Sequence, residues 1–217
     1  MTIAATDPST LPQWKGRPVP WATRWTGEVV QTPAAMSIER ATMQVHLNYD
    51  DGLGEDRDSH GVLWKREGVG RQGDPQFADL NTYRQRASMN KRLCQICGTK
   101  IDERPIRWLL GQDQLIDLED GDFATISPPT CSGCIPLALE LCPHLRKKGY
   151  AILKVLDYEP WGVMGQAVVV DLENERWRDV RGSFISYQDP KMPLTSNVAY
   201  QQCVRLTTFI FEKGFDQ

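Results

Sequence analysis

A helical repeat of apolar positions follows residue 74. The repeating positions are Phe77, Leu80, Tyr83 and Ala87. Asp74 can act as an N-cap, and Pro75 suits the first helical position because its missing N–H would have no partner there. The pattern predicts a helix over about 75–91, which leads directly into the sequence RLCQICG.

The C-terminal third contains runs of β-branched and apolar residues. Two strands are predicted at 150–157 and 165–171, joined by YEPWGVM, whose proline and glycine indicate a turn. A third candidate strand covers 182–187. Residues 195–213 begin with capping residues and end before Gly214, so we predict a C-terminal helix there, although its VRLTTFIF core has the composition of a strand.

The first 35 residues are rich in Pro, Thr and Ala, yet they contain Trp14, Trp21 and Trp25. Because an indole ring can bury a large apolar area, we expect an extended arm whose tryptophans dock on the body of the protein. A tryptophan-rich arm that binds a partner is the alternative. Candidate strands follow at 38–49 and 61–66, on either side of the acidic loop DDGLGEDRDSHG.

Composition places the chain among globular proteins. It has 217 residues, of which 41% are hydrophobic and 24% charged. No window approaches the roughly 18 apolar residues that a membrane span requires, and the N-terminus does not resemble a secretory signal. We therefore expect a soluble cytoplasmic protein with no membrane partner. In a reducing compartment, paired Cys-x-x-Cys motifs indicate metal or redox chemistry more often than disulfides.

Charge is segregated along the chain. The formal net charge of −3 argues against non-specific coating of nucleic acid, but residues 84–107 contain seven bases and two acids, whereas 111–124 contain five acids and no base. Either the two stretches form oppositely charged solvated faces that partly pair with each other, or the positive stretch contacts nucleic acid or a protein partner. The candidate contact residues are Arg84, Lys91, Arg92, Lys100, Arg104 and Arg107. On the predicted helix, Arg84, Lys91 and Arg92 are expected on the exposed side.

Two cysteine pairs carry the clearest chemistry. Cys94 and Cys97 form a knuckle whose glycine follows the second thiol, and Cys131 and Cys134 precede the apolar helical run IPLALEL. Four thiolates complete the tetrahedral shell that Zn²⁺ prefers in structural sites. We predict one structural zinc ion per chain. Unliganded core or redox thiols are the alternative.

The order of elements around the cysteines resembles a treble-clef finger, in which a knuckle, a β-hairpin and a helix follow one another. The fold class predicted is α+β, with this finger embedded in a small antiparallel-sheet domain with flanking helices. The predicted organisation is an arm over 1–35, a region ending in a helix over 36–92, the finger over 93–149, and antiparallel strands and a helix over 150–217.

The remaining soft ligands are too scattered for a second metal site. Cys142 lies eleven residues beyond Cys131, about 16 Å along a helix, so the two cannot share an ion. His144 precedes the basic residues of a helix end. The other candidates are His46, His60 and Cys203. The acidic loop lacks the ligand register of an EF-hand, so we do not expect calcium there.

Enzyme signatures are absent from the sequence. No His or Cys that could bind metal is followed two residues later by the Glu of a zinc deaminase. HNH nucleases use a similar finger with catalytic histidines, but no histidine lies between Cys97 and Cys134. There is no GxSxG, P-loop or GxGxxG motif.

Three blocks, RQRASMNKRLCQICG, PPTCSGC and LCPHLRKKG, resemble an uncharacterised family of bacterial and phage proteins. The resemblance spans about Trp21 to Gly165. It implies an intracellular zinc protein of a phage or mobile element and implies no particular activity. The function expected from the sequence is a zinc-stabilised, non-catalytic binding protein that contacts nucleic acid or a protein partner. One alternative is an enzyme whose site lies outside the finger, in a groove lined by tryptophans, His60 and the acidic loop. The other is a degenerate HNH-like nuclease scaffold.

Overall fold

The computed structural model describes residues 6–33, 35–39, 41, 44–51, 56–171, 176–188 and 194–215. They divide into two compact units. Unit 1 comprises the described residues of Met1–Glu28, Val69–Pro160 and Cys203–Gln217, and unit 2 those of Val29–Gly68 and Trp161–Gln202. Among these residues, no helix combines the length and the apolar character needed to cross a membrane.

Short and long strands make up most of the regular structure, consistent with an α+β class. The strands are β1 (Gln13–Trp14), β2 (Arg17–Pro18), β3 (Thr23–Trp25), β4 (Val30–Gln31), β5 (Ala35–Glu39), β6 (Gln44–Asn48), β7 (Leu63–Trp64), β8 (Arg66–Glu67), β9 (Pro75–Leu80), β10 (Ile106–Gly111), β11 (Ile116–Asp117), β12 (Phe123–Thr125), β13 (Tyr150–Asp171), β14 (Arg176–Ser186) and β15 (Asn197–Lys213). The α-helices are α1 (Thr82–Lys91), α2 (Ile135–Leu141) and α3 (Pro143–Lys148).

Unit 1 is built on an antiparallel sheet with the strand order β10-β13-β15-β12-β11. Strand β10 pairs with the start of β13, with Trp108 opposite Leu153, and β12 pairs with β15. The Trp108 side chain is fully buried, and its indole N–H donates to the Ser127 carbonyl at 3.0 Å. Helix α2 and both cysteine pairs border the same apolar core. The core therefore joins the sheet to the cysteines.

Helix α1 begins later than the apolar repeat predicts. The Asn81 side chain accepts a hydrogen bond from the Arg84 N–H at 3.1 Å and caps the helix at Thr82. Residues 75–80 instead form β9, which pairs with β3. The predicted helix over 75–91 is thus wrong in its first part, because backbone pairing with the N-terminal segment outweighs a weak helical pattern.

The expected turn at YEPWGVM is also wrong, since β13 runs continuously through it. Gly162 within this segment, and Gly165 just after it, lie where β13 pairs with β14. A Cβ on Gly162 would lie 2.3 Å from the Ile185 carbonyl oxygen of β14, and the register between these strands shifts beside Gly165. The third strand predicted at 182–187 is confirmed, since β14 begins earlier, at Arg176, and ends at Ser186.

The predicted C-terminal helix is a strand. Only Leu194–Ser196 form a short 3-10 helix, and β15 follows from Asn197 to Lys213. Its β-branched and aromatic side chains suit a pleated surface, and it lies between β13 and β12 in the sheet, pairing with β12 at residues 204–206. The helix predicted from IPLALEL is confirmed as α2.

Unit 2 has its own apolar clusters. Val62, Trp64 and Ile185 belong to one, and Val45 and Leu47 belong to another. Strands β5 and β6 form a hairpin, and β7 pairs in parallel with the start of β15. These strands agree in part with those predicted at 38–49 and 61–66, the first of which is divided into two.

Candidate metal centre

Four cysteine side chains converge in unit 1. The Sγ atoms of Cys94, Cys97, Cys131 and Cys134 all lie within 4.8 Å of one another. The Sγ atoms of Cys97 and Cys131 are 3.9 Å apart. A regular tetrahedron with metal–sulfur bonds of about 2.3 Å places its sulfur atoms about 3.8 Å apart. The cluster therefore has dimensions that can hold a metal ion, and its donor set suits zinc.

The first cysteine pair lies in a tight turn between α1 and β10. The Cys94 N–H donates to the Thr99 carbonyl at 2.9 Å, and the Gly98 N–H donates to the Cys94 carbonyl at 2.8 Å. A bridge between Leu93 and Lys100 closes the turn. Gly98 has a φ of +75°, in the left-handed region that favours glycine. The knuckle expected from the sequence is present.

The second pair lies at the start of a helix. Residues Ser132–Cys134 form a 3-10 turn that continues into α2, and the Cys134 N–H donates to the Cys131 carbonyl at 3.0 Å. This turn brings both sulfur atoms to the same side. Cys94 and Cys134 are fully buried, while Cys97 and Cys131 are half-buried. The centre thus lies against the core with one side near the surface.

Polar groups surround the sulfur atoms. The Cys131 N–H donates to the Cys94 sulfur at 3.4 Å. The Thr99 hydroxyl is 2.9 Å from the Cys97 sulfur, and the Thr6 hydroxyl is 3.0 Å from the Cys134 sulfur. Such contacts stabilise thiolate charge and orient metal ligands.

The pKa values of the crowded thiols are shifted in opposite directions. Hydrogen bonding with the Cys131 sulfur lowers the pKa of the Cys97 thiol well below its usual range, whereas contact with the same sulfur raises the pKa of Cys134. Neighbouring thiolates repel one another, so one negative charge discourages the next. A bound dication removes that conflict because it allows all four groups to be thiolates.

The N-terminal segment forms part of the centre. The Thr6 N–H donates to the Gly133 carbonyl at 2.9 Å, and the Trp21 N–H donates to the Ile96 carbonyl at 2.8 Å. The Trp21 indole lies directly on Gly98. Elsewhere in unit 1, Trp25 is buried and the Trp14 indole donates to Asp74 at 2.9 Å. All three indoles therefore contact other parts of unit 1, and one of them covers the turn that carries Cys94 and Cys97.

A glutamate joins the two halves of the centre. Glu103 accepts hydrogen bonds from the Ser132 N–H and the Ser132 hydroxyl, both at 2.7 Å, and from Arg107 at 3.0 Å. It therefore ties the segment after the knuckle to the CSGC turn. Sequence reasoning missed both Glu103 and Thr6, because neither lies in a motif and only folding brings them to the cysteines.

Gly98→Ala should destabilise the protein more than Gly121→Ala. Both glycines have positive φ, so both substitutions carry backbone strain of about 1–2 kcal/mol. A Cβ at Gly98 would also lie 2.6 Å from the Trp21 ring, whereas nothing lies within 4 Å at Gly121. Overpacking should add about 1–3 kcal/mol, measured by denaturant unfolding of the metal-loaded protein. Equal losses in the two variants would show that the Trp21 contact does not constrain this position.

Two of the six candidate basic residues are committed to internal ion pairs. Arg84 is 2% exposed and donates to Glu28 at 2.6 Å, so its predicted place on an exposed helix face is wrong. Glu28 also accepts from the Trp25 N–H at 2.9 Å and the Asn81 amide at 3.1 Å. Arg107 contacts Glu103 and Glu212. Both arginines therefore stabilise the fold through ion pairs, and their guanidinium groups are engaged within the protein.

The other four candidates lie nearer to solvent. Lys91, Lys100 and Arg104 are exposed, and Arg92 is half-buried. Arg92 ends α1 with a φ of 56°, and its carbonyl accepts from the Ile101 N–H at 2.8 Å, so the helix end lies beside the base of the knuckle. Folding thus brings part of the predicted basic stretch together.

The leftover cysteines and histidines form no second metal cluster within the part of the chain that the structure describes. Burial raises the pKa of Cys203 to about 12, so this thiol stays protonated at neutral pH. His144 contacts Asp113 at 2.8 Å. The His60 ring stacks on Tyr187 with a centroid distance of 3.8 Å. Each of these side chains has a structural contact of its own.

Asp58, in the acidic loop of unit 2, has its carboxylate occupied by hydrogen bonds. One oxygen accepts from the His60 and Val62 N–H groups at 2.9 and 3.1 Å. The other accepts from the Trp64 indole at 3.0 Å and the Tyr187 hydroxyl at 3.3 Å. A carboxylate with both oxygens engaged organises the loop and is poorly placed to act as a base. Residues 52–55 of the same loop lie outside the described residues.

Comparison of the chain with protein-family models, with curated proteins and with solved structures finds no match. The resemblance to a bacterial and phage family therefore stays a prediction. What the molecule itself provides is a cluster of four cysteines compatible with a zinc site.

Proposed function

We propose that Cys94, Cys97, Cys131 and Cys134 bind one Zn²⁺ ion, and that this ion is structural. The convergence of all four Sγ atoms within 4.8 Å carries the proposal. Zinc binds sulfur ligands in closed tetrahedral sites of this kind. A disulfide is a poorer explanation for the Cys97–Cys131 contact, because 3.9 Å is almost twice a sulfur–sulfur bond.

A catalytic role for the ion is disfavoured by the ligand count. Four sulfur ligands complete the tetrahedral shell, so no position is left for a water molecule or a substrate. Two of the four cysteines are fully buried. The ion is therefore proposed to stabilise the fold, and the protein to act through binding.

The centre is proposed to belong to a treble-clef type finger. A knuckle supplies one ligand pair, and the start of α2 supplies the other. Between them, β11 and β12 form a short hairpin, but β10 pairs with β13 instead of joining it. The order of the ligand-bearing parts supports the treble-clef proposal, while the intervening strands are incorporated into a larger sheet.

The role that follows is a zinc-stabilised, non-catalytic binding module. Zinc would hold together the knuckle, the N-terminal segment and α2, and so keep the surface at the knuckle rigid. The competing enzyme interpretation placed His60 and the acidic loop at a site, but Asp58 is fully hydrogen-bonded and His60 is stacked. A degenerate HNH-like scaffold would have lost its histidines, since none lies between Cys97 and Cys134.

Metal analysis tests this proposal. Purified full-length protein should contain one zinc per chain by elemental analysis, and replacement by Co²⁺ should give the visible absorption bands of tetrahedral thiolate ligation. Cys142→Ser serves as the control, and it should keep both the stoichiometry and the spectrum because Cys142 is outside the cluster. Folded protein without metal, or a cobalt spectrum of octahedral type, would overturn the proposal.

A further inference from the structure

Four cations meet where α1 ends against the base of the knuckle. We call this the knuckle-base surface, formed by Lys91 and Arg92 at the end of α1 and by Lys100 and Arg104 in the segment after the cysteine turn. The Leu93–Lys100 bridge fixes Lys100 beside the residue that follows Arg92. The helix itself contributes no opposing charge, because its sequence TYRQRASMNK contains no acid. Positive charge from two separate segments is thus concentrated on one part of unit 1.

Tyr158 packs beside the arginine side of this surface. Its hydroxyl donates to the Met89 carbonyl at 3.1 Å, which places it against the last turn of α1. Burial raises the pKa of Tyr158, and the positive charges of Arg92 and Arg104 oppose that rise, so both guanidinium groups act on the same ring. The Arg104 guanidinium also lies 3.5 Å from the Leu156 carbonyl. Two arginines twelve residues apart therefore flank one tyrosine.

Within the residues that the structure describes, these four cations have no short ion pair with a carboxylate. Lys100 has a single described ion pair, with Asp102 at 3.9 Å, and both side chains are mostly exposed. Exposed pairs of this length contribute little and exchange readily for another anion. Arg84 and Arg107, by contrast, are held by short contacts with buried or half-buried glutamates. The fold thus separates structural arginines from cations facing solvent.

We propose that the knuckle-base surface binds the phosphodiester backbone of a nucleic acid. Guanidinium and ammonium groups contact phosphate oxygens, and rows of such contacts position a nucleic acid without reading its sequence. The knuckle-base surface holds two guanidinium groups, of Arg92 and Arg104, and two ammonium groups, of Lys91 and Lys100. The proposal rests on the proposed function, because the zinc centre would fix the knuckle from which Lys100 projects. A protein partner with an acidic surface is the competing outcome.

Fluorescence anisotropy with full-length, zinc-loaded protein tests the proposal. The probes are a fluorescein-labelled 20-base-pair DNA duplex and 20-nucleotide single-stranded DNA and RNA. Arg92→Asn/Arg104→Gln removes two charges, with Asn chosen because it tolerates the left-handed backbone at position 92. On the duplex, the slope of log affinity against log salt should fall in magnitude by about 1.8. Lys91→Gln/Lys100→Gln should have a similar effect.

The matched control is Arg146→Gln/Lys147→Gln on α3, which removes the same charge from exposed positions elsewhere. It should leave the slope unchanged. Equal losses in control and test variants, or no binding of any probe at about 50 mM salt, would overturn the proposal, and the latter would favour a protein partner. Zinc content is measured for every sample. A zinc-loaded protein that does not bind refutes only this inference, whereas a zinc-free folded protein refutes the proposed function.

Discussion

Cys131→Ser is expected to abolish zinc retention and unfold much of unit 1. Zinc binding to a structural site contributes about 10–16 kcal/mol in small peptides, whereas whole domains are stable by only about 5–15 kcal/mol. Losing one of four thiolate ligands should therefore remove most of the net stability. The measurement is metal content together with thermal unfolding followed by circular dichroism.

Cys203→Ser is the control for this loss. Cys203 is fully buried, and the thiol carries no ligand role because it lies outside the cluster. Placing a hydroxyl there should cost about 1–3 kcal/mol, but zinc content should stay at one per chain. If Cys131→Ser melts like the parent and keeps its metal, the ligand assignment is wrong. If Cys203→Ser loses zinc, the set of four is incomplete.

Glu28→Ala is expected to destabilise the protein by about 3–5 kcal/mol, although Glu28 is remote from any motif. The substitution leaves the Arg84 guanidinium buried without its carboxylate, and it removes the acceptor of the Trp25 N–H and the Asn81 amide. Denaturant unfolding at neutral pH should show a lower midpoint with an unchanged slope. Zinc stoichiometry should remain one, which separates this effect from loss of the metal.

A double variant tests whether the penalty comes from the unpaired charge. Glu28→Gln/Arg84→Met removes both charges and keeps similar volumes, so it should recover part of the stability that Glu28→Ala loses. Arg84→Met alone should be as damaging as Glu28→Ala, since it leaves a buried carboxylate. Glu28→Gln alone completes the cycle, and a double variant that merely adds the losses of Glu28→Gln and Arg84→Met would show that the two side chains are energetically independent.

Local chemistry was enough to predict that the four cysteines converge. Two Cys-x-x-Cys pairs, a glycine after the first and an apolar helical run after the second define a knuckle and a helix start, and short-range backbone geometry then aims each pair of sulfur atoms. Helix α2 and the strand at 182–187 were predicted from the pattern of apolar residues for the same reason. In these segments, the residues that decide the structure are neighbours in the chain.

Other features depended on partners distant in sequence. Residues 75–80 have a helical repeat but form β9, because β3 offers them a ladder of hydrogen bonds. The strand composition of VRLTTFIF prevailed over the capping residues before it, since β12 pairs with β15. A sequence pattern reports only the intrinsic conformational preference of a segment, and the energies of such preferences are small. Hydrogen-bonded pairing with a strand distant in sequence can therefore outweigh them.

The basic stretch shows what only the tertiary structure could decide. The sequence determined that cations cluster near the knuckle, because charge is a property of residue type. It could not determine which of them face solvent. Folding buried Arg84 against Glu28 and engaged Arg107 with Glu103 and Glu212, since a buried charge must be paired. The same folding left Lys91, Lys100 and Arg104 exposed, and placed Trp21 on Gly98 across more than seventy residues of chain.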